Sequence, residues 1–127
     1  MTLRCVIVDD SRDVLQAASE LLEDEGIAVV GVASSGEEAV RVVAARHPDV
    51  VLVDIDLGPE SGLDLVSRLV EGSDRAASPS ILISTHDETD FAKLIETSPA
   101  IGFLPKSRLS ATAIQALLAA HHEGAVD

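Results

Sequence analysis

Short apolar runs alternate with stretches of helical spacing along the whole chain. Leu3–Val8 is a mostly apolar run that stops at Asp9-Asp10, the pattern of a strand buried on both faces. Val14, Ala17, Ala18, Leu21 and Leu22 then recur at helical intervals, with Glu20, Glu23, Asp24 and Glu25 between or after them, and Gly26 ends that helix. Ile27–Ala33 predicts a second strand. Ser35 and Glu38 have capping-box spacing ahead of a helix with Val40, Val43 and Ala44 on one side and Pro48 at its end. Val50–Val53 predicts a third strand that delivers Asp54, followed by a loop over 55–60. Ser61 and Asp64 repeat the capping-box spacing before Leu65, Leu69 and Val70. The segment 72–80 is the most loop-like of the chain. Ile81–Ile83 predicts a fourth strand ending in Ser84-Thr85, and Phe91, Leu94 and Ile95 a short helix. Ala100–Leu104, between Pro99 and Pro105, predicts a fifth strand, and Ile114, Leu117, Leu118 and His121 a last helix.

Strands that are apolar throughout and alternate with helices imply a parallel sheet covered on both faces. The expected architecture is α/β: a flavodoxin-like (βα)5 doubly wound sandwich with strand order 2-1-3-4-5. It forms a single domain over 1–127, with a core over about 3–122 and no internal linker. In such a sheet the ligand crevice lies beyond the carboxyl ends of strands 1 and 3.

That placement gives the polar residues at strand ends a meaning. Strand 1 delivers Asp9 and Asp10, strand 3 Asp54 and strand 4 Ser84, and strand 5 leads into Lys106. Three carboxylates in one crevice repel and raise one another's pKa unless a cation is present. A hard divalent ion with oxygen ligands resolves this, Mg²⁺ best, with Mn²⁺ an alternative. A lysine and a hydroxyl facing the same spot suit an anion beside the metal. Asp54 then reads as a nucleophile that forms an aspartyl phosphate, with Mg²⁺, Lys106 and Ser84 stabilising the transferred phosphoryl group. Taken singly, each residue has a plainer reading. An aspartate at a strand end caps a helix or shapes a turn, and Asp10 is suited to cap the first helix. Their joint arrival at four strand ends favours a site. The chain has only two lysines, Lys93 and Lys106, and one of them lands there.

Composition narrows the picture. Of 127 residues 46% are apolar, enough for a core. The single cysteine, Cys5, excludes a disulfide framework and a four-cysteine zinc site, and its place inside a strand makes it a core residue. Lys and Arg number 9 against 22 Asp and Glu, a net charge of −13, which argues against direct contact with nucleic acid. The only aromatics are Phe91 and Phe103, too few for a base-stacking platform. The first residues do not read as a signal peptide and no apolar run would span a bilayer, so a cytoplasmic location away from membranes is expected. Up to Asp64 there are 14 acids and 4 bases, and beyond it 8 and 5. The run Glu23–Glu25 reads as a solvated helix end, and His121-His122 as a favourable helix terminus.

In their order and spacing these residues resemble the response regulator receiver domains of bacterial two-component signalling, from Arg4 to about His121. Asp9-Asp10 in VIVDDS matches the family's metal-binding pair, and Asp54 in VVLVDIDLGPESG the phosphoacceptor, with Gly62 eight residues on. Ser84 in ILISTHDE matches the switch hydroxyl, Phe103 in GFLPKS the switch aromatic, and Lys106 the lysine of the motif. The GFLPKSRLS segment is closest in style to receivers of helix-turn-helix (LuxR/NarL-type) regulators.

The resemblance implies a backbone carbonyl of Asp56 as a metal ligand, with the side chains of Asp56 and His86 tuning the phosphoryl lifetime. It implies a sensor histidine kinase as donor, and a face of helix 4, strand 5 and helix 5 that meets an output domain, a partner protein or a second copy of the domain. The output expected is transcription, and the chemistry is limited to the domain's own phosphorylation and dephosphorylation. Three positions depart from the family's pattern: Ser107 follows the lysine where proline is usual, Gly58 stands four after the phosphoacceptor where proline is frequent, and Thr85 replaces a smaller residue. Thr85 is placed to narrow access to Asp54 for small phosphodonors.

Three other readings compete. VVLVDIDLG resembles the D-x-D signature of haloacid-dehalogenase-type phosphatases, with Asp54 as nucleophile and Asp56 as general acid, but it falls on the third strand and leaves Asp9-Asp10 unexplained. A pseudo-receiver that is never phosphorylated is disfavoured by Asp10, Asp54 and Lys106. A flavin-binding flavodoxin lacks its Ser/Thr-rich phosphate loop after strand 1.

Overall fold

A computed structural model describes residues 2–71, 78–85 and 92–124. Five strands form one parallel sheet: β1 (Arg4–Val8), β2 (Ala28–Ala33), β3 (Val50–Asp54), β6 (Ser80–Ser84) and β7 (Gly102–Pro105). Their order is β2-β1-β3-β6-β7, the predicted 2-1-3-4-5 of the flavodoxin-like fold. The three central strands are buried along nearly their whole length, which is why they are apolar without alternation.

Helices cover both faces. On one, α1 (Arg12–Asp24) and α5 (Ala111–Gly124) pack Leu15, Leu22, Ile114 and Leu118 against Ile7, Leu52, Ile81 and Ile83. On the other, α2 (Gly36–Arg46) and α3 (Gly62–Glu71) pack Ala39, Leu65 and Val66 against Val6, Val51, Val53 and Leu82, with Ile95 of the short α4 (Ala92–Thr97) beside them. Alternate residues of β6 therefore serve different faces: Ile81 and Ile83 one, Leu82 the other.

Several local expectations change. In α1 the predicted Ala18 and Leu22 are buried, joined by Leu15, whereas Ala17 and Leu21 are exposed, so the buried stripe is narrower than predicted. In α2 the buried residues are Gly36 and Ala39, the predicted Val40 and Val43 are half-buried and Ala44 is exposed; in α3 Val66 is buried and Val70 exposed. Segment 55–60 is not a plain loop. Its Asp56–Leu57 (β4) pairs antiparallel with Glu60–Ser61 (β5), turning at Gly58 with φ +65°. Of the loop-like segment 72–80, Ser80 belongs to β6 and 72–77 lie outside the described residues, as does Phe91. The fifth strand begins at Gly102, two residues later than expected.

Helix ends follow local chemistry. Ser11, not Asp10, caps α1, its hydroxyl accepting from the Val14 amide. Ser35 caps α2 through the Glu38 amide, while the Glu38 carboxylate accepts from Ser34 N–H rather than from the cap itself. Gly26 follows α1 at φ +93°. Glu25 is not merely solvated: its carboxylate accepts the Ala111 amide at 2.6 Å, tying the end of α1 to the first turn of α5 across 86 residues of sequence.

Candidate functional site

The carboxyl ends of β1 and β3 lie side by side, with Val8 opposite Val53, so that Asp9 and Asp54 emerge together. Asp9 is fully buried and Asp54 is 4% exposed, while Asp10 faces solvent. Because Ser11 takes the capping role, Asp10 is left at the crevice. Carboxylate oxygens of Asp9, Asp10 and Asp54 all lie within 4.8 Å of one another. From the far side of the sheet, the 3-10 turn Lys106–Arg108 that follows β7 brings in Lys106. Its Nζ lies 2.6 Å from Asp9 Oδ2 and 3.2 Å from Asp54 Oδ2. The Lys106–Ser107 peptide is trans.

Backbone amides hold the other carboxylate oxygens. Ser11 N–H donates to Asp9 Oδ1 at 2.9 Å, and Asp56 N–H donates to Asp54 Oδ1 at 3.1 Å. Burial pushes the Asp54 carboxyl above its usual range and the charge of Asp9 adds to this, against the opposing pull of the Asp56 amide and Lys106. Burial alone would lower the Lys106 pKa. The hydrogen bond to Asp9 and the negative charge of both carboxylates outweigh it and hold the ammonium above the usual lysine range, so it stays charged at neutral pH.

Three carboxylates facing one ammonium leave two uncompensated negative charges. Asp9 Oδ2, buried, is met among the described residues only by the Lys106 ammonium. An all-oxygen donor set with this charge fits a hard divalent cation.

The remaining predicted residues fall into place unevenly. Ser84, 1% exposed, ends β6 beside Asp54, whose neighbour Ile55 donates to the Ile83 carbonyl at 3.0 Å. Phe103 stands opposite Leu82 in the β6–β7 register and points inward with 9% exposed. Ser84, two residues beyond Leu82, shares that face of the sheet. Thr85 and the Asp56 side chain are exposed, and His86 lies outside the described residues.

Two glycines shape the site. A Cβ at Gly62 would overlap the Asp54 carbonyl, because α3 starts directly against the Asp54 backbone, with Gly62 N–H donating to Ile55 O at 2.8 Å. A Cβ at Gly58 would lie 3.3 Å from Asp10 Oδ2, so this turn closes over the acidic pair. The sequence signalled Gly62 by its spacing from Asp54. Glu60, whose carboxylate reaches the Gly36 amide at 3.0 Å, carried no signal at all.

The fold coincides with what known proteins show. The response regulator receiver domain matches residues 5–119, and the chain belongs to that family. A crystal structure of a two-component response regulator of the LuxR family from Aurantimonas sp. SI85-9A1 superimposes with a TM-score of 0.82 at 29% identity, covering 94% of this chain and 87% of that one. The signal receiver domain of a modulated diguanylate cyclase from Desulfovibrio desulfuricans G20 does so with a TM-score of 0.78 at 28% identity, covering 100% of each. A protein-glutamate methylesterase/protein-glutamine glutaminase from Natronomonas pharaonis is 34% identical over 84 residues, 66% of this chain and 23% of that protein. The chain thus spans about a quarter of the length of that curated relative. It is a response regulator receiver domain, a module of two-component signal transduction. Among the described residues no helix is long and apolar enough to cross a membrane.

Proposed function

We propose that the chain is one receiver domain whose Asp54 accepts a phosphoryl group from the phosphohistidine of a sensor histidine kinase. The observation that carries this is the convergence of Asp9, Asp10, Asp54 and Lys106 on one point. Asp9, Asp10 and Asp54, together with the Asp56 carbonyl, would hold Mg²⁺, or Mn²⁺ in its place. Bound there, the metal supplies positive charge beside the transferred phosphoryl oxygens and offsets the mutual repulsion of the carboxylates.

The chain's own residues do the rest. The Asp54 carboxylate attacks phosphorus in line. The new O–P bond forms as the P–N bond to the imidazole breaks, and the electron pair leaves on the ring nitrogen. Lys106, cationic and already hydrogen-bonded to Asp54 Oδ2, is placed to follow the new negative charge. Ser84 supports a second phosphoryl oxygen. With Phe103 on the same face of the sheet, it links the modification to the surface formed by α4, β7 and α5. Asp56 and His86 tune the lifetime of the acyl phosphate, and Thr85 restricts small donors.

That surface would then meet an output domain, a partner protein or a second copy of the chain, with transcription as the favoured output. The relatives' names span methylesterase, diguanylate cyclase and LuxR-family proteins, so the output belongs to what the receiver is joined to. The chain would act as a phosphoacceptor, not as an enzyme with separate substrates, and would work in the cytoplasm without contacting nucleic acid itself. Incubation with phosphoramidate and Mg²⁺ should raise the intact mass by one phosphoryl group, and Asp54→Asn should abolish the rise. An unchanged wild-type mass, or catalytic turnover of p-nitrophenyl phosphate, would refute the reading.

A further inference from the structure

The β4–β5 hairpin joins the Asp54 centre to a helix that the proposed switch does not use. At one end, Asp56 N–H donates to Asp54 Oδ1 at 3.1 Å. Across the ladder, Asp56 pairs with Ser61 and Leu57 with Glu60. At the other end, Glu60 Oε2 accepts the Gly36 amide at 3.0 Å, in the first turn of α2. The fit there is close. A Cβ at Gly36 would stand 2.7 Å from Glu60 Oε1 and 3.2 Å from Arg68 Nη1 of α3. Any larger residue at 36 would displace the carboxylate. A carboxylate at a helix N-terminus is favourable through both the hydrogen bond and the helix dipole, so Glu60 has reason to stay attached as the hairpin moves.

We propose that Glu60 is a positioning residue that couples occupancy of the Asp54 centre to the N-terminus of α2. Any adjustment of Asp56 when the centre is filled shifts the two-residue ladder, and Glu60 carries the shift to Gly36. The α2–α3 side of the domain thereby becomes a second place where the state of the site is expressed. Coupling of this kind is reciprocal: releasing Glu60 from Gly36 loosens the hairpin and weakens metal binding at the far end. The inference deepens the phosphoacceptor reading, yet metal binding alone is enough to test it.

The test follows the Gly36 amide resonance of the full chain during titration with Mg²⁺ alone, and then with Mg²⁺ plus phosphoramidate. In the wild type the resonance shifts with saturation. Glu60→Gln keeps an oxygen acceptor and retains the shift, whereas Glu60→Ala loses it and binds Mg²⁺ about 5-fold more weakly. Gly36→Ala breaks the same link from the helix side and reproduces the loss, which separates uncoupling from misfolding of one variant. A Gly36 resonance that stays still in the wild type, or that moves equally in Glu60→Ala, overturns the proposal. Intact mass in the phosphoramidate arm reports separately on the phosphoacceptor reading: if the mass does not rise, that reading falls, while the Mg²⁺ arm still decides the coupling.

Discussion

Strand β6 carries a serine at each end, and the two ends of the sheet differ in what they do with them. Ser80 and Ser84 are four residues apart on the same face, 3% and 1% exposed. At the carboxyl end, Ser84 joins Asp9, Asp54 and Lys106, and buried polarity is concentrated around a charged centre. At the amino end, the Ser80 hydroxyl has no hydrogen-bond partner among the described residues. Burial of a polar group is unfavourable at both ends. At one end the groups meet, and their mutual strain is a resource for chemistry. At the other a lone hydroxyl is simply a small loss of stability.

The sharpest way to break this contrast is Asp54→Asn. Phosphoryl uptake, read by intact mass, should vanish. Thermal stability should move the other way. The fold holds the Asp54 carboxyl above its usual range, so it favours the uncharged form. The stability tied to that preference is present below the ordinary carboxylate range and lost as pH rises through the folded-state value. At neutral pH the neutral asparagine escapes the loss. The variant should melt above the wild type at pH 7, and the gap should close near pH 3. A lower melting temperature at pH 7 would show that the charged end is not strained.

Lys106→Met should come next. It strands the buried Asp9 carboxylate without its counter-charge and should cost about 3 kcal/mol in urea denaturation. Adding Asp9→Asn to it should recover most of that loss. Additive losses would mean that the ion pair is not what holds this end together. Gly62→Ala should cost about 2 kcal/mol, because its Cβ pushes α3 off the Asp54 carbonyl. It should also slow phosphoryl uptake, whereas a change in stability alone would mean that the helix moves without disturbing Asp54.

The smallest effect belongs to the other end and, unlike the two losses before it, is a gain. Ser80→Ala should stabilise by about 1 kcal/mol with phosphoryl uptake unchanged. A loss of stability would show that the hydroxyl has work to do.

How far the sequence revealed this molecule depended on the range of the interactions. Asp9, Asp54, Ser84 and Lys106 were legible because apolar strands end in polar residues, and a parallel sheet gathers such ends by topology. The face of α1 was read too broadly because Ala17 and Leu21 are apolar yet exposed, and periodicity alone cannot rank apolar residues by burial. The β4–β5 hairpin escaped because two-residue strands have no alternation to read; Gly58 was its only local sign. Glu25 and Glu60 escaped for a different reason. Each is a carboxylate among many, and its amide partner lies 86 or 24 residues away.

The Glu25–Ala111 bond has a consequence for the order in which the chain is made. β6 and β7 lie in turn on the edge of the sheet beyond β3, and α5 packs over Ile7 and Leu52. During synthesis Glu25 emerges long before the helix whose first turn it will cap. Until then, the groove beside α1 that receives Ile114 and Leu118 stays open to water. A ribosome that pauses before residue 111 would hold out a nascent chain that carries Asp54 but lacks the cover for this apolar flank. Seating α5 on an acceptor made 86 residues earlier is what covers that flank.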